Sequence, residues 1–202
     1  SVSAAGVLRG IHFADVPPSQ AKYVTCPKGA VLDVIVDIRV GSPTFGQWDS
    51  VLLDDVDRRA VYLSEGLGHA FLSLEDGSTV VYLCSAPYAP AREHEVHPLD
   101  PAIGIEWPTV GRDGSPLTYE FSAKDQAAPS LNQAQAAGLL PTYDAARAFR
   151  ADKLHNCVRI SGVDDDEQRL DFLRLIHVFL RSYSEIPEIG MVNAMPVFGL
   201  SK

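Results

Sequence analysis

The stretch Ala30-Val-Leu-Asp-Val-Ile-Val-Asp-Ile-Arg39 decides the fold. Side chains alternate between the two faces of a strand, so Leu32, Val34, Val36 and Ile38 share one face. Asp33, Ile35, Asp37 and Arg39 share the other, and the pattern predicts a half-buried strand. Similar short runs follow on both sides, over residues 7–13, 21–26, 48–53, 60–63, 70–74 and 79–84. Turn-forming residues separate them: Pro17-Pro18, Pro27-Lys28-Gly29, Gly41-Ser42-Pro43, Asp54-Asp55 and Asp76-Gly77. Many short strands with no helical period between them read as an antiparallel sandwich, barrel or jelly roll. A parallel sheet is disfavoured, because nothing here supplies its crossover helices.

The second part of the chain differs. Residues 85–120 are rich in Pro, Gly and Asp and read as long ordered loops. Ser130 is placed to cap a short helix over 130–139, with Gly138 near its end. A second helix is expected over 142–150 and a third over 167–183, where Leu170, Leu173, Ile176 and Leu180 form one stripe.

The 202 residues suffice for one well-buried core and are few for two. With 46% hydrophobic and 21% charged residues the composition is that of a globular domain rather than a disordered chain. A formal charge of −9 disfavours nucleic-acid binding through phosphate neutralisation, although a few converging cations can still hold one small anion. No apolar run approaches the ~20 residues that span a bilayer, so no membrane partner is expected. Cys26, Cys84 and Cys157 show neither disulfide nor zinc spacing, and a reduced, cytoplasmic protein is the simplest expectation. The start at Ser1 without Met leads to the expectation that the natural N-terminus is missing or processed.

Several polar residues fall on the strands. Leu8-Arg-Gly-Ile-His-Phe13 places Arg9 and His12 three residues apart, on opposite faces of a regular strand. They reach one site only if Gly10 makes a bulge. Lys22 opens a strand, His69 follows two glycines, and Tyr82 shares a face with Val80 and Cys84 that is either core or cup. Tyr88 lies in a loop. Ser64-Glu-Gly-Leu-Gly-His69 resembles half of a metal-binding cupin signature, but the His-x-His half is absent around His12, and His94 and His97 read as loop residues. One histidine per motif does not fill three ligand positions, so no metal is expected. Phosphate-cradling glycine loops and the Gly-x-Ser-x-Gly elbow are absent too, which disfavours nucleotide-cofactor folds and serine hydrolases.

Taken together the segments are more specific. Residues 1–13, 17–23 and 36–48 resemble the dTDP-4-dehydrorhamnose 3,5-epimerase family, as do Glu65-Gly-Leu-Gly-His-Ala-Phe71, Asp100-Pro-Ala-Ile-Gly-Ile-Glu-Trp-Pro108 and Ser122-Ala-Lys-Asp-Gln-Ala-Ala-Pro129. They follow the family's order over residues 1–150. The resemblance implies a mainly β fold, a cupin-like antiparallel jelly roll with short C-terminal helices. It also implies a homodimer with neither metal nor organic cofactor, acting on a dTDP-4-keto-6-deoxyhexose.

Inverting a carbon beside a ketone requires a base on one face, charge stabilisation at the enolate oxygen and an acid on the opposite face. By the family's motifs, His12 is the expected base, Lys22 the enolate partner and Tyr82 the acid. Asp125 is the expected partner of His12, with Asp33 as a second candidate. Arg9, His69 and Lys124, with Tyr88 and Asp33, make up the expected substrate-binding set. The resemblance implies inversion at both C3 and C5, with a mono-epimerase of antibiotic deoxysugar synthesis as the close variant, and Gly68 and Ala70 beside the histidine resemble an antibiotic-sugar branch. Other readings are a non-catalytic sugar-nucleotide-binding jelly roll and a metal-dependent cupin enzyme. The expected organisation is a jelly-roll core over 1–120, the family's C-terminal loop and helices over 121–150, and a tail over 151–202. The family carries further strands before the Ser1 segment; the role of the tail is left open between an unrelated C-terminal extension and a replacement for those strands, in which residues 158–163 would suit a strand.

Overall fold

The computed structural model describes residues 1–17 and 19–160, with side chains through Ala151. Nine strands form two antiparallel sheets: β1 (Val2–Ser3), β2 (Leu8–Ala14), β3 (Lys22–Lys28), β4 (Ala30–Val36), β5 (Trp48–Asp54), β6 (Ala60–Leu63), β7 (Gly68–Ser73), β8 (Ser78–Cys84) and β9 (Glu93–Glu95). One sheet has the order β1-β8-β3-β6 and the other β5-β4-β7-β2-β9. The fold is a cupin-like jelly roll. Three helices follow: α1 (Ala123–Gln126), α2 (Leu131–Ala136) and α3 (Tyr143–Ile160).

Two apolar clusters explain the layers. Val24, Val31, Leu53, Phe71 and Val80 are buried between the sheets. Leu8, Ile11, Val34, Val36, Ile38 and Leu72 are buried on the far side of the larger sheet, against Trp107, Leu131 and Leu140 from the C-terminal segment. β4 therefore serves both clusters and is buried on both faces, whereas its alternation had suggested a single buried face. The reason is its central position between β5 and β7, beneath the loops and helices that follow β9.

Two buried features hold the C-terminal segment in place. Asp37 and Arg39 form a two-pronged ion pair of 2.8 and 2.7 Å, and Ser42 and Thr44 donate to the same carboxylate. Arg39 also lies 5.0 Å from the Tyr143 ring centre, which ties α3 to the end of the sheet. Ser130 caps α2 as expected, and Gln133 completes the reciprocal capping box.

Some expectations need correction. Residues 93–95 form a short strand, so His94 is a strand residue whose Nε2 donates to Asp15 at 2.7 Å. Residues 158–160 are the last turn of α3 and not the start of a strand. The helix expected over 167–183, and the part of the tail beyond residue 160, lie outside the described residues. No helix among the described residues is long and apolar enough to cross a membrane.

Candidate active site

The site begins with an irregularity in β2. Arg9 pairs with Phe71 but His12 pairs with His69, so β2 carries one extra residue against β7. That is the bulge the Arg-Gly-Ile-His segment requires to bring Arg9 and His12 to one side. Gly10 has φ +122°, and a Cβ built there would lie 2.5 Å from Ala70 Cβ. Only glycine lets the two strands approach so closely at that conformation.

Both residues then line one cavity of about 500 Å³ between the sheets, within the ordinary size range of a small-molecule site. Arg9, His12, His69 and Glu93 come from the larger sheet, while Lys22, Tyr82 and Cys84 come from the smaller one. Tyr88 adds a loop residue to the rim. The face shared by Tyr82 and Cys84 is thus cup, while Val80 on the same face belongs to the core at the closed end.

His12 Nε2 donates to Asp125 Oδ1 at 2.5 Å, and the side chains are 35% and 3% exposed. Ser122 caps α1 and its hydroxyl donates to the other oxygen of Asp125. Burial pushes the Asp125 carboxyl up, but bonds from His12, Ser122 and the Gly10 N–H outweigh it and hold the group below the usual carboxylate range. An ionised carboxylate only accepts, so it fixes the proton of neutral His12 on Nε2 and leaves Nδ1 unprotonated. The imidazole is held in one orientation by a carboxylate placed 113 residues away in the chain.

A second pair lies deeper. His69 Nε2 donates to Asp33 Oδ2 at 2.8 Å, and Asp33 is completely buried. Asp33 is therefore the partner of His69 rather than of His12, and it stands behind the cavity wall instead of contacting what the cavity holds. Lys124 departs from expectation as well. Its ammonium is paired with Glu95 at 2.8 Å and does not line this cavity. The bond to Glu95 pulls it up from the ordinary lysine value.

Burial in the cavity wall pushes Lys22 below the ordinary lysine range, against the upward pull of Cys84, Glu93 and Asp33. Arg9 Nε is buried without a hydrogen-bond partner among the described residues, so that edge of the guanidinium is available to an anion. No group of three or more His, Cys, Asp or Glu residues is arranged to hold a metal among the described residues. Two contributors went unseen in the sequence. Ser122 was legible as an N-cap three residues before Asp125, whereas Glu93 lay in what read as a loop.

A carboxylate-paired imidazole on one sheet, facing an amine and a phenol on the other, is the set of groups that proton transfer at a carbon acid calls for, set in a jelly roll. The comparisons narrow this class. Residues 1–133 match the family described as dTDP-4-dehydrorhamnose 3,5-epimerase. The chain is 68% identical over 149 residues to the dTDP-4-dehydrorhamnose 3,5-epimerase of Mycolicibacterium smegmatis, covering 74% of this chain and 70% of that protein. The rmlC epimerase structure of Mycobacterium tuberculosis superimposes with a TM-score of 0.70 and 59% identity, over 75% of this chain and 74% of the other. A 3′-monoepimerase from Streptomyces bikiniensis, solved with dTDP-quinovose, gives a TM-score of 0.70 and 54% identity, over 76% and 75%. The chain belongs to the dTDP-4-dehydrorhamnose 3,5-epimerase family.

Proposed function

We propose that the protein is an isomerase that epimerises a dTDP-4-keto-6-deoxyhexose at C3 and C5, with its own side chains as the only catalytic groups. One observation carries the reading. His12, held by Asp125 of α1, stands on one sheet of the cavity, and Lys22 and Tyr82 stand on the facing sheet, so a sugar between them meets a base on one face and an acid on the other.

The steps follow from that arrangement. Nδ1 of His12 takes the proton from the carbon beside the C4 ketone, and the electron pair moves into the carbonyl to give an enolate. The Lys22 ammonium stabilises the oxygen as it becomes negative. Tyr82 then delivers its phenolic proton to the same carbon from the opposite face, which inverts the centre. Solvent removes the proton from His12 and restores the one on Tyr82, so the net reaction exchanges one hydrogen. Asp125 stabilises the imidazolium formed midway. His69, backed by Asp33, together with Arg9 and Tyr88, forms the wall that receives the substrate, and Arg9 meets its diphosphate.

A single-carbon epimerase is the second reading, because the S. bikiniensis monoepimerase is almost as similar as the double epimerases. Incubation with dTDP-4-keto-6-deoxyglucose in D2O, followed by NMR at C3 and C5, separates the two. Deuterium at both carbons supports double epimerisation, and deuterium at one supports the narrower activity. No incorporation by folded protein that still binds thymidine diphosphate overturns both.

A homodimer fits the outer face of the smaller sheet. Val2, Tyr23, Val81 and Leu83 are 66%, 46%, 45% and 68% exposed and adjacent across β1, β3 and β8. Such a patch is the kind that a second copy covers. Sedimentation equilibrium should give twice the chain mass, and a monomer at micromolar concentration would refute the assignment.

A further inference from the structure

Glu93 is out of place in a cavity that receives a diphosphate. A carboxylate there repels the substrate's phosphates, so its presence in the wall calls for another role. Its side chain is anchored: the Ala89 N–H donates to Oε1 at 3.2 Å, and Glu93 itself is held in β9 opposite Ala14. It shares the walls of the main cavity with Lys22, and both residues also line a much smaller pocket together with His12 and His69. Lys22 forms no ion pair among the described residues, although it is largely withdrawn from water.

We propose that Glu93 is a positioning residue that acts through Lys22, its fixed charge holding the lysine as an ammonium across the cavity. The purpose rests on the epimerase reading, in which Lys22 must be cationic to stabilise an enolate. A desolvated lysine tends to lose its proton, and a nearby negative charge opposes this.

The other groups around Lys22 do not serve as well. Asp33 on β4 is engaged by His69 on β7. Cys84, the register partner of Lys22 on β8, bears charge only as a thiolate. Arg9 on β2, with His12 and His69 when protonated, acts in the opposite direction. Tyr82 and Tyr88 present phenols, while β6 and its following loop contribute Leu63 and Ser64, neither of which titrates in this range. Glu93 is the carboxylate near Lys22 whose one hydrogen bond among the described residues comes from a neutral group.

The substitution Glu93→Gln removes the charge and keeps an oxygen for the Ala89 N–H. Trace labelling with acetic anhydride across pH, read by peptide mass spectrometry, reports the unprotonated fraction of Lys22 without reference to activity. The exposed Lys28 is the internal reference. Below the labelling midpoint, Lys22 in Glu93→Gln should react at least about twofold faster relative to Lys28 than in the native protein. That is the effect of removing one unit charge at twice salt-bridge distance even in bulk water. Glu93→Asp should restore the native ratio. Equal ratios in native and Glu93→Gln protein of unchanged circular dichroism would overturn the proposal, as would an Asp variant that behaves like Gln. The D2O exchange rate gives a second reading, since its alkaline limb should begin at lower pH in Glu93→Gln. Labelling that shifts without any exchange activity would sustain the Glu93–Lys22 coupling and count against the epimerase reading alone.

Discussion

Replacing Gly10 by alanine tests the geometry on which the site depends. The new Cβ would lie 2.5 Å from Ala70 Cβ, 2.6 Å from Ala70 Cα and 2.6 Å from the His69 carbonyl oxygen. Two of these are on the backbone of β7, so no side-chain rotation relieves them. Overpacking of this kind costs about 1–3 kcal/mol. The φ of +122° adds roughly 1–3 kcal/mol for any residue with a Cβ. The sum, about 2–6 kcal/mol, is a large part of the roughly 5–15 kcal/mol that stabilises a typical domain. For a chain of this size it lowers Tm by about 5–20 °C. Gly41 supplies the control, because its φ is +87° but nothing lies within 4 Å of a Cβ built there. Gly41→Ala should lose only about 1–2 kcal/mol from the backbone. Thermal unfolding of the two variants isolates the contact, and D2O exchange below the transition reads the site. Gly10→Ala should exchange far more slowly even while folded, because relieving the clash turns Arg9 or His12 out of the cavity. If the two variants melted together and exchanged alike, β2 would not approach β7 at Ala70 and the bulge would not set the site.

Other expectations concern the chemistry and the buried charges. His12→Ala should abolish deuterium incorporation at every carbon, while Tyr82→Phe should retain some exchange but lose inversion; full epimerisation by the His12 variant would displace it as the base. Asp37→Asn removes the buried carboxylate charge that accepts from Arg39, Ser42 and Thr44 and should destabilise the fold by about 3–5 kcal/mol, measured by urea unfolding; a change below 1 kcal/mol would deny the pair that role. Asp125 has its folded value held below the ordinary 3.8, so its stabilisation is complete above that value and is lost as the pH falls through the lower one. The stability gap between native protein and Asp125→Asn should therefore close progressively below about pH 4; a gap constant from pH 7 to pH 2 would show that no charge is involved.

The strands were legible because each carries its own alternation, and Ser130 and Gly10 were legible because a cap and a bulge need particular residue types. The pairing of carboxylates with histidines was legible only through the resemblance, which named Asp125 for His12 and left Asp33 as a second candidate; no local pattern shows either pair. Asp125 lies 113 residues from His12, and Asp33 lies 36 residues from His69. Both aspartates carry the same chemical signal, and only the packing of α1 against β2 decides which one reaches His12. Lys124 was misread for a related reason. Its place in the family's Ser-Ala-Lys-Asp segment implied a substrate-binding residue, but Glu95 on β9 comes within 2.8 Å and takes the charge. Glu93 was hidden because three residues of strand following a helical turn leave almost no periodic pattern to recognise.

The division of the cavity's polar groups between two sheets resembles a pair of calipers. His12 rides on one jaw and Tyr82 on the other, and the joint is the apolar cluster of Val24, Leu53, Phe71 and Val80. The gap between the sheets is therefore set in part by apolar side chains that carry no exchangeable proton. A methyl group added or removed at the joint would open or close the jaws. Such a change would alter the spacing of His12 and Tyr82 while both side chains were kept.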